Sequence, residues 1–154
     1  MAKVLIVYAS LTGNTRAGAS ILEQAFEEIG SEVTVMESYD ADPFEFEDYD
    51  ICIVGTYTYG TDADLPDEIV DFYEELVDVD LKGKIYGAFG SGDVFYVGKY
   101  CLCVDDFEEQ FEKTGATKGA AGVKVDLNAE EEDVENLKAF VKAMVETYES
   151  TLGN

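Results

Sequence analysis

The chain lacks histidine and tryptophan, and it has only two prolines, three cysteines and ten basic residues against 34 acidic ones in 154 positions. Each shortage excludes something. Without histidine there is no imidazole for general acid–base catalysis, no triad built on one, and none of the commonest zinc sites. Ten cations within a net charge of −24 are too few to neutralise a phosphate backbone, so nucleic acid and anionic membrane surfaces are excluded as partners. Cys52, Cys101 and Cys103 have neither an even count nor C-x-x-C spacing. They predict a reducing, cytoplasmic setting, with Cys52 in Asp50-Ile51-Cys52-Ile53-Val54 a buried small hydrophobe. The first apolar run, Val4 to Tyr8, is too short for a signal peptide or a membrane span.

What is present predicts a folded domain. A hydrophobic fraction of 47% with 12% aromatics is too apolar for disorder, and this length suits one domain over 1–154, expected as a monomer. Val4 to Tyr8, Val33 to Met36, Asp50 to Gly55, Lys84 to Phe89 and Ala120 to Leu127 read as five strands, several apolar throughout and therefore buried on both sides. Between them run helical stripes. The first holds Ala17, Ile21, Leu22, Ala25, Phe26 and Ile29, closed by Gly30. The second follows Pro66, with Ile69, Val70, Tyr73, Leu76 and Val77. The third holds Val104, Phe107 and Phe111 and ends near Gly115. The fourth runs from Val134 to Tyr148, with Asn128 and Glu131 as a capping box. The acidic stretch Tyr39 to Asp50 is too short for a long helix. Alternation of strand and helix predicts a single open, doubly wound α/β fold: a five-stranded parallel sheet with helices on both faces.

Acid is distributed unevenly. Ala17 to Leu81 contains no Lys or Arg and 20 of the 34 acids, while the rest of the chain holds the other 14 and all ten bases. This is either an ordinary solvated surface or one strongly negative face that attracts positive partners.

Ligands of such sheets bind beyond the carboxyl ends of the strands. Three loops leave those ends with unusual composition. Ser10-Leu11-Thr12-Gly13-Asn14-Thr15 sets hydroxyls and an amide at the start of a helix, where free N–H groups accept a phosphate. It contains no lysine, which argues against a nucleoside triphosphate. Arg16 beside it either touches the phosphate or faces solvent. Thr56-Tyr57-Thr58-Tyr59-Gly60-Thr61 places two tyrosines at the functional edge, where stacking on a flat ligand explains them. Ser91-Gly92-Asp93-Val94-Phe95-Tyr96 combines close backbone approach with a further ring. Together they describe a molecule with a phosphate tail and a planar head.

The pattern Ser10 to Thr15 resembles the phosphate loop of the flavodoxins. Gly55-Thr56-Tyr57-Thr58-Tyr59-Gly60 and Gly90-Ser91-Gly92-Asp93-Val94-Phe95-Tyr96 are similar to that family's two isoalloxazine loops. The resemblance spans the chain and is of the short-chain kind. It implies strand order 2-1-3-4-5 and flavin mononucleotide (FMN) as cofactor. It also implies that Ser10, Thr12, Asn14 and Thr15 hold the phosphate, helped by the backbone of Leu11 and Gly13. Tyr59 and Tyr96 then flank the ring, with Phe95 and Tyr100 as alternatives to Tyr96. Ser91, Gly92 and Asp93 meet the pyrimidine edge. Two departures stand out: Tyr59 occupies a position where many members have Trp, and Thr61 one where they have an acid.

The resemblance further implies low-potential one-electron transfer on the semiquinone/hydroquinone couple, between a reductase and acceptor enzymes with basic faces. The protein's part is to tune the flavin, since the redox chemistry belongs to the cofactor. In the family a carbonyl after the stacking aromatic rotates to accept the N5 proton. Here that is the Gly60–Thr61 peptide, and glycine makes the rotation inexpensive. A ribonucleotide-reductase activator or an FMN-dependent reductase is the alternative reading. A phosphate-accepting receiver domain is disfavoured, because Tyr8-Ala9-Ser10 and Val54-Gly55-Thr56 lack the acids it needs.

Overall fold

The computed structural model describes residues 3–9, 14–57, 67–92, 102–120, 122–126 and 131–152. Strand β1 (Lys3–Tyr8) is buried from Val4 onward, as its unbroken apolar run requires. Helix α1 (Asn14–Glu28) follows, then β2 (Glu32–Glu37), β3 (Ile51–Tyr57), α2 (Asp67–Leu76), β4 (Ile85–Gly92), α3 (Leu102–Lys113), β5 (Thr117–Lys118), β6 (Val123–Asp126) and α4 (Glu131–Leu152). The sheet order is β2-β1-β3-β4-β5, with β6 also paired to β4, and every pairing is parallel. The expected order 2-1-3-4-5 holds.

Period-two alternation sends strand residues to two separate cores. Leu5, Val7, Cys52, Val54, Tyr86 and Ala88 pack with Ile69, Phe72 and Leu76 of α2 and with Phe107 and Phe111 of α3. Val4, Ile6, Ile51, Ile53 and Phe89 pack with Leu22 and Phe26 of α1 and with Leu137, Phe140 and Met144 of α4. Cys52 is fully buried, as expected, with its thiol directed to the Phe46 carbonyl at 3.8 Å, and burial pushes that thiol far above its ordinary pKa. α1 ends where Gly30 adopts φ +87°: its N–H bonds to the Glu27 carbonyl and the Ser31 N–H to the Phe26 carbonyl. This is the paired closure that a left-handed glycine permits.

Three details refine or differ from the sequence reading. In α2 the buried stripe is Ile69, Phe72 and Leu76, continuing to Val79, while Val77 is exposed. Tyr73 packs against the same core but is only partly buried, its ring edge-on to Phe107 at 5.2 Å, while Phe72, which has no hydroxyl to keep hydrated, is buried. Between β2 and β3 the chain makes two 3-10 turns, Ser38–Asp40 and Pro43–Asp48. In the second, the Phe44 N–H donates to Asp42 and the Asp42 N–H to Glu45, both at 2.9 Å. Phe46 is thereby delivered, fully buried, against Phe72 and Phe111.

The third difference is at the fifth strand position, which is split. β5 pairs with Ile85 and Tyr86, and β6 pairs from Phe89 to Gly92. Three steps along β4, Tyr86 to Phe89, face five steps on the outer chain, Lys118 to Val123. The two surplus residues interrupt the ladder, as in a bulge. Gly119 lies in the break, tight against helix α4: a Cβ there would stand 2.4 Å from the Met144 sulfur. The break sets the outer chain against Gly119's close contact and then returns it to β4 for its last four residues.

Candidate functional site

The carboxyl ends of β1, β3 and β4 lie side by side. The Ala9 N–H donates to the Gly55 carbonyl at 2.9 Å, extending the β1–β3 pairing one step past Tyr8. Thr56 pairs with Gly90, Tyr57 with Ser91, and Gly92 with Asp126. After β1 the chain turns to β2 on one side, and after β2 it crosses to β3 on the other. That reversal leaves a crevice between the β1 and β3 ends, uncovered by either crossover. All three candidate loops leave the sheet at this edge.

Glycines seat α1 over it. A Cβ on Gly55 would overlap the Phe89 ring at 2.1 Å, and one on Gly18 would lie 3.0 Å from the same ring. The ring therefore fills the space that two missing side chains provide, and α1 lies close upon β3 and β4. An isolated glycine within a strand or helix is the sequence sign of such an approach.

The start of α1 suits an anion. Its first turn carries no acid, although acids make up 34 of the 154 residues. Free N–H groups there have the partial positive charge that attracts phosphate. Glu37, which ends β2 on the same edge, is engaged by the Tyr8 hydroxyl at 3.3 Å. Burial, and then Glu37, raise the Tyr8 phenol above its ordinary pKa, opposed by Arg16. Arg16 is exposed.

Of the expected site residues, Asn14 and Thr15 open α1, Thr56 and Tyr57 end β3, and Ser91 and Gly92 end β4. The backbone pairs Tyr57 with Ser91, with Thr56 and Gly92 beside them along β3 and β4, and Thr56 is buried. Ser10, Leu11, Thr12, Gly13, Thr58, Tyr59, Gly60, Asp93 and Tyr96 lie outside the described residues, as do Phe95 and Tyr100. The donor chemistry of this edge fits FMN: neutral hydroxyls and an amide at an acid-free helix start, then glycine-bearing strand ends alongside.

A family model described as Flavodoxin matches residues 6–140. The chain belongs to the flavodoxin family. Probable flavodoxin 2 of Bacillus subtilis (strain 168) is 42% identical over 141 residues, covering 91% of this chain and 92% of that protein. A solved flavodoxin of Streptococcus pneumonia TIGR4 is 50% identical with a TM-score of 0.92, covering 95% of this chain and 99% of the other. A short-chain flavodoxin associated with a bacterial microcompartment is 40% identical with a TM-score of 0.93, over 96% of this chain and 99% of the other. As a flavodoxin-family protein the chain is an FMN-binding electron carrier. Among the described residues no helix is long and apolar enough to cross a membrane, and no group of three or more potential metal ligands occurs.

Proposed function

We propose that the chain, as one domain over 1–154 and a cytosolic monomer, holds FMN non-covalently at this edge. In that role it carries single electrons at low potential from a reductase to acceptor enzymes, with no substrate turnover of its own. Ser10, Thr12, Asn14 and Thr15 hold the phosphate with the Leu11 and Gly13 backbone. Thr56, Tyr57, Thr58, Tyr59 and Gly60 line one side of the ring. Ser91, Gly92 and Asp93 meet its polar edge, and Tyr96 supplies the second aromatic surface. FMN, when bound, supplies the one-electron chemistry, with work concentrated on the lower of its two couples. The protein's residues bind it, orient it, exclude water and set its electrostatic surroundings.

The observation that carries this reading is the convergence at the sheet's reversal point of three loop stems with an acid-free helix start. Basic partners dock at the same edge by charge. A visible spectrum recorded during stepwise reduction tests the proposal. Flavin bands followed by a transient long-wavelength absorption are expected. A colourless protein that takes up no FMN would overturn it.

A further inference from the structure

We propose that Glu108 is a positioning residue for the cofactor edge, acting through β6. The inference rests on the FMN reading above. Glu108 lies on α3, and a single oxygen of its carboxylate, Oε2, accepts from two donors. Lys118 Nζ, at the end of β5, donates at 2.9 Å, and the Gly122 N–H, just before β6, donates at 3.1 Å. These donors bracket the two-residue surplus that splits the fifth strand position. One carboxylate therefore ties both sides of the break to α3. Its side chain is only 15% exposed, against 44% for Lys118, so the pair is screened less than a surface pair.

What the tie holds in place matters more than the tie itself. β6 is four residues long, and it pairs with the last stretch of β4: Gly90 with Lys124, Ser91 with Val125, Gly92 with Asp126. It is the outer support of the strand end from which the 93–101 segment departs, and that segment re-enters the described structure as α3, the helix carrying Glu108. The carboxylate thus closes a bridge between the two stems of this loop: one stem is β4, braced by β6, and the other is α3. So short a strand retains its register only if its entry is fixed, and the Gly122 N–H supplies that fixed point. A carboxylate bonded to a backbone N–H and a lysine is among the stronger hydrogen-bonding arrangements.

The test compares Glu108→Ala, Glu108→Gln and Lys118→Met with Glu109→Ala, whose residue pairs only at the surface with Lys113 at 3.9 Å. FMN titration of each apoprotein by fluorescence is expected to show binding about tenfold weaker in E108A, equivalent to about 1.4 kcal/mol. E108Q, which retains an acceptor for the Gly122 N–H, and K118M, which retains the carboxylate, are expected to fall between. E109A is expected to match wild type. Independently of FMN, amide exchange in the apoprotein is expected to accelerate at Val123–Asp126 and at Ser91–Gly92 in E108A but not in E109A. If E108A lowers the melting temperature yet leaves FMN affinity and Ser91–Gly92 exchange unchanged, the residue is merely structural and the inference falls. Wild-type protein that binds no FMN would instead overturn the functional reading, and the exchange comparison would still decide whether Glu108 holds the end of β4.

Discussion

At the scale of single residues the site depends on side chains that are missing. Gly55 and Gly18 are bare so that the Phe89 ring can lie between β3 and α1. Gly55→Ala puts a methyl inside that ring's volume, and overpacking of this kind costs about 2–3 kcal/mol. Urea unfolding should register the loss, and a smaller side chain at Phe89 in the same background should recover part of it. Full stability in G55A would mean that the ring has another place to go. A second glycine acts on the cofactor. If the Gly60–Thr61 peptide rotates toward the flavin, Gly60→Ala opposes the positive φ it needs, at about 1 kcal/mol. Photoreduction should then accumulate less of the long-wavelength form, and an unchanged yield would remove Gly60 from that role.

Between elements, buried tyrosines join strands to charged neighbours. The Tyr86 hydroxyl donates to Glu112 of α3 at 3.4 Å while its ring stacks on Phe111 at 5.0 Å. Burial first, and then Glu112 and Glu108, push the Tyr86 phenol well above its ordinary pKa, and Tyr8, Tyr73 and Tyr148 are raised as well. A group whose pKa is raised by folding stabilises the native state below its unfolded value and loses that contribution as pH climbs toward the folded value. Stability should therefore be flat through neutral pH and decline above the ordinary tyrosine value of 10.0. Tyr86→Phe should flatten part of that decline in thermal melts taken across alkaline pH. An identical alkaline decline in Y86F would place the effect elsewhere.

The order of strands and helices was legible because continuous apolar runs and 3.6-residue stripes are long signals. The edge was legible because its loops concentrate hydroxyls, glycines and tyrosines where strand ends were expected. Other features had no such signal. Val70, Phe72 and Tyr73 are all apolar, so nothing in composition shows that Phe72 faces the core. Phe46 reaches the core through a 3-10 turn, too short to show a period. The break after Lys118 falls in Gly119-Ala120-Ala121-Gly122, where small residues mark no face. Glu108 finds its partner in a backbone N–H 14 residues away, and a backbone donor leaves no mark in the sequence.

For the whole molecule, charge is uneven along the chain. The stretch from Ala17 to Leu81, without bases and with 20 acids, supplies α1 beyond Arg16, β2, β3 and α2, while α3, β5, β6 and α4 carry five of the nine lysines. The candidate edge joins the end of β3, from that stretch, to the end of β4, from beyond it. Each carboxylate ~10 Å from a reduced flavin contributes roughly 0.8 kcal/mol at an effective dielectric of ~40. Neutralising Asp62, Asp64, Asp67 and Asp93 together should raise the lower reduction potential by roughly 100 mV, at about 59 mV per 1.36 kcal/mol. Electron-transfer rates to a basic partner should also fall as salt rises, because exposed charges beyond ~10 Å are screened. A potential that does not move would assign the tuning to the aromatic surroundings instead.

The broken fifth position has one more consequence, for crowding. An open sheet has two flanks on which a stray chain can add a strand and begin a fibre. On one flank, β2 begins with Glu32 and ends with Glu37. On the other, an incoming chain meets two residues of ladder, an interruption and then four more, never a straight run long enough to copy. The irregularity that Glu108 spans also denies a stray chain a template on that flank.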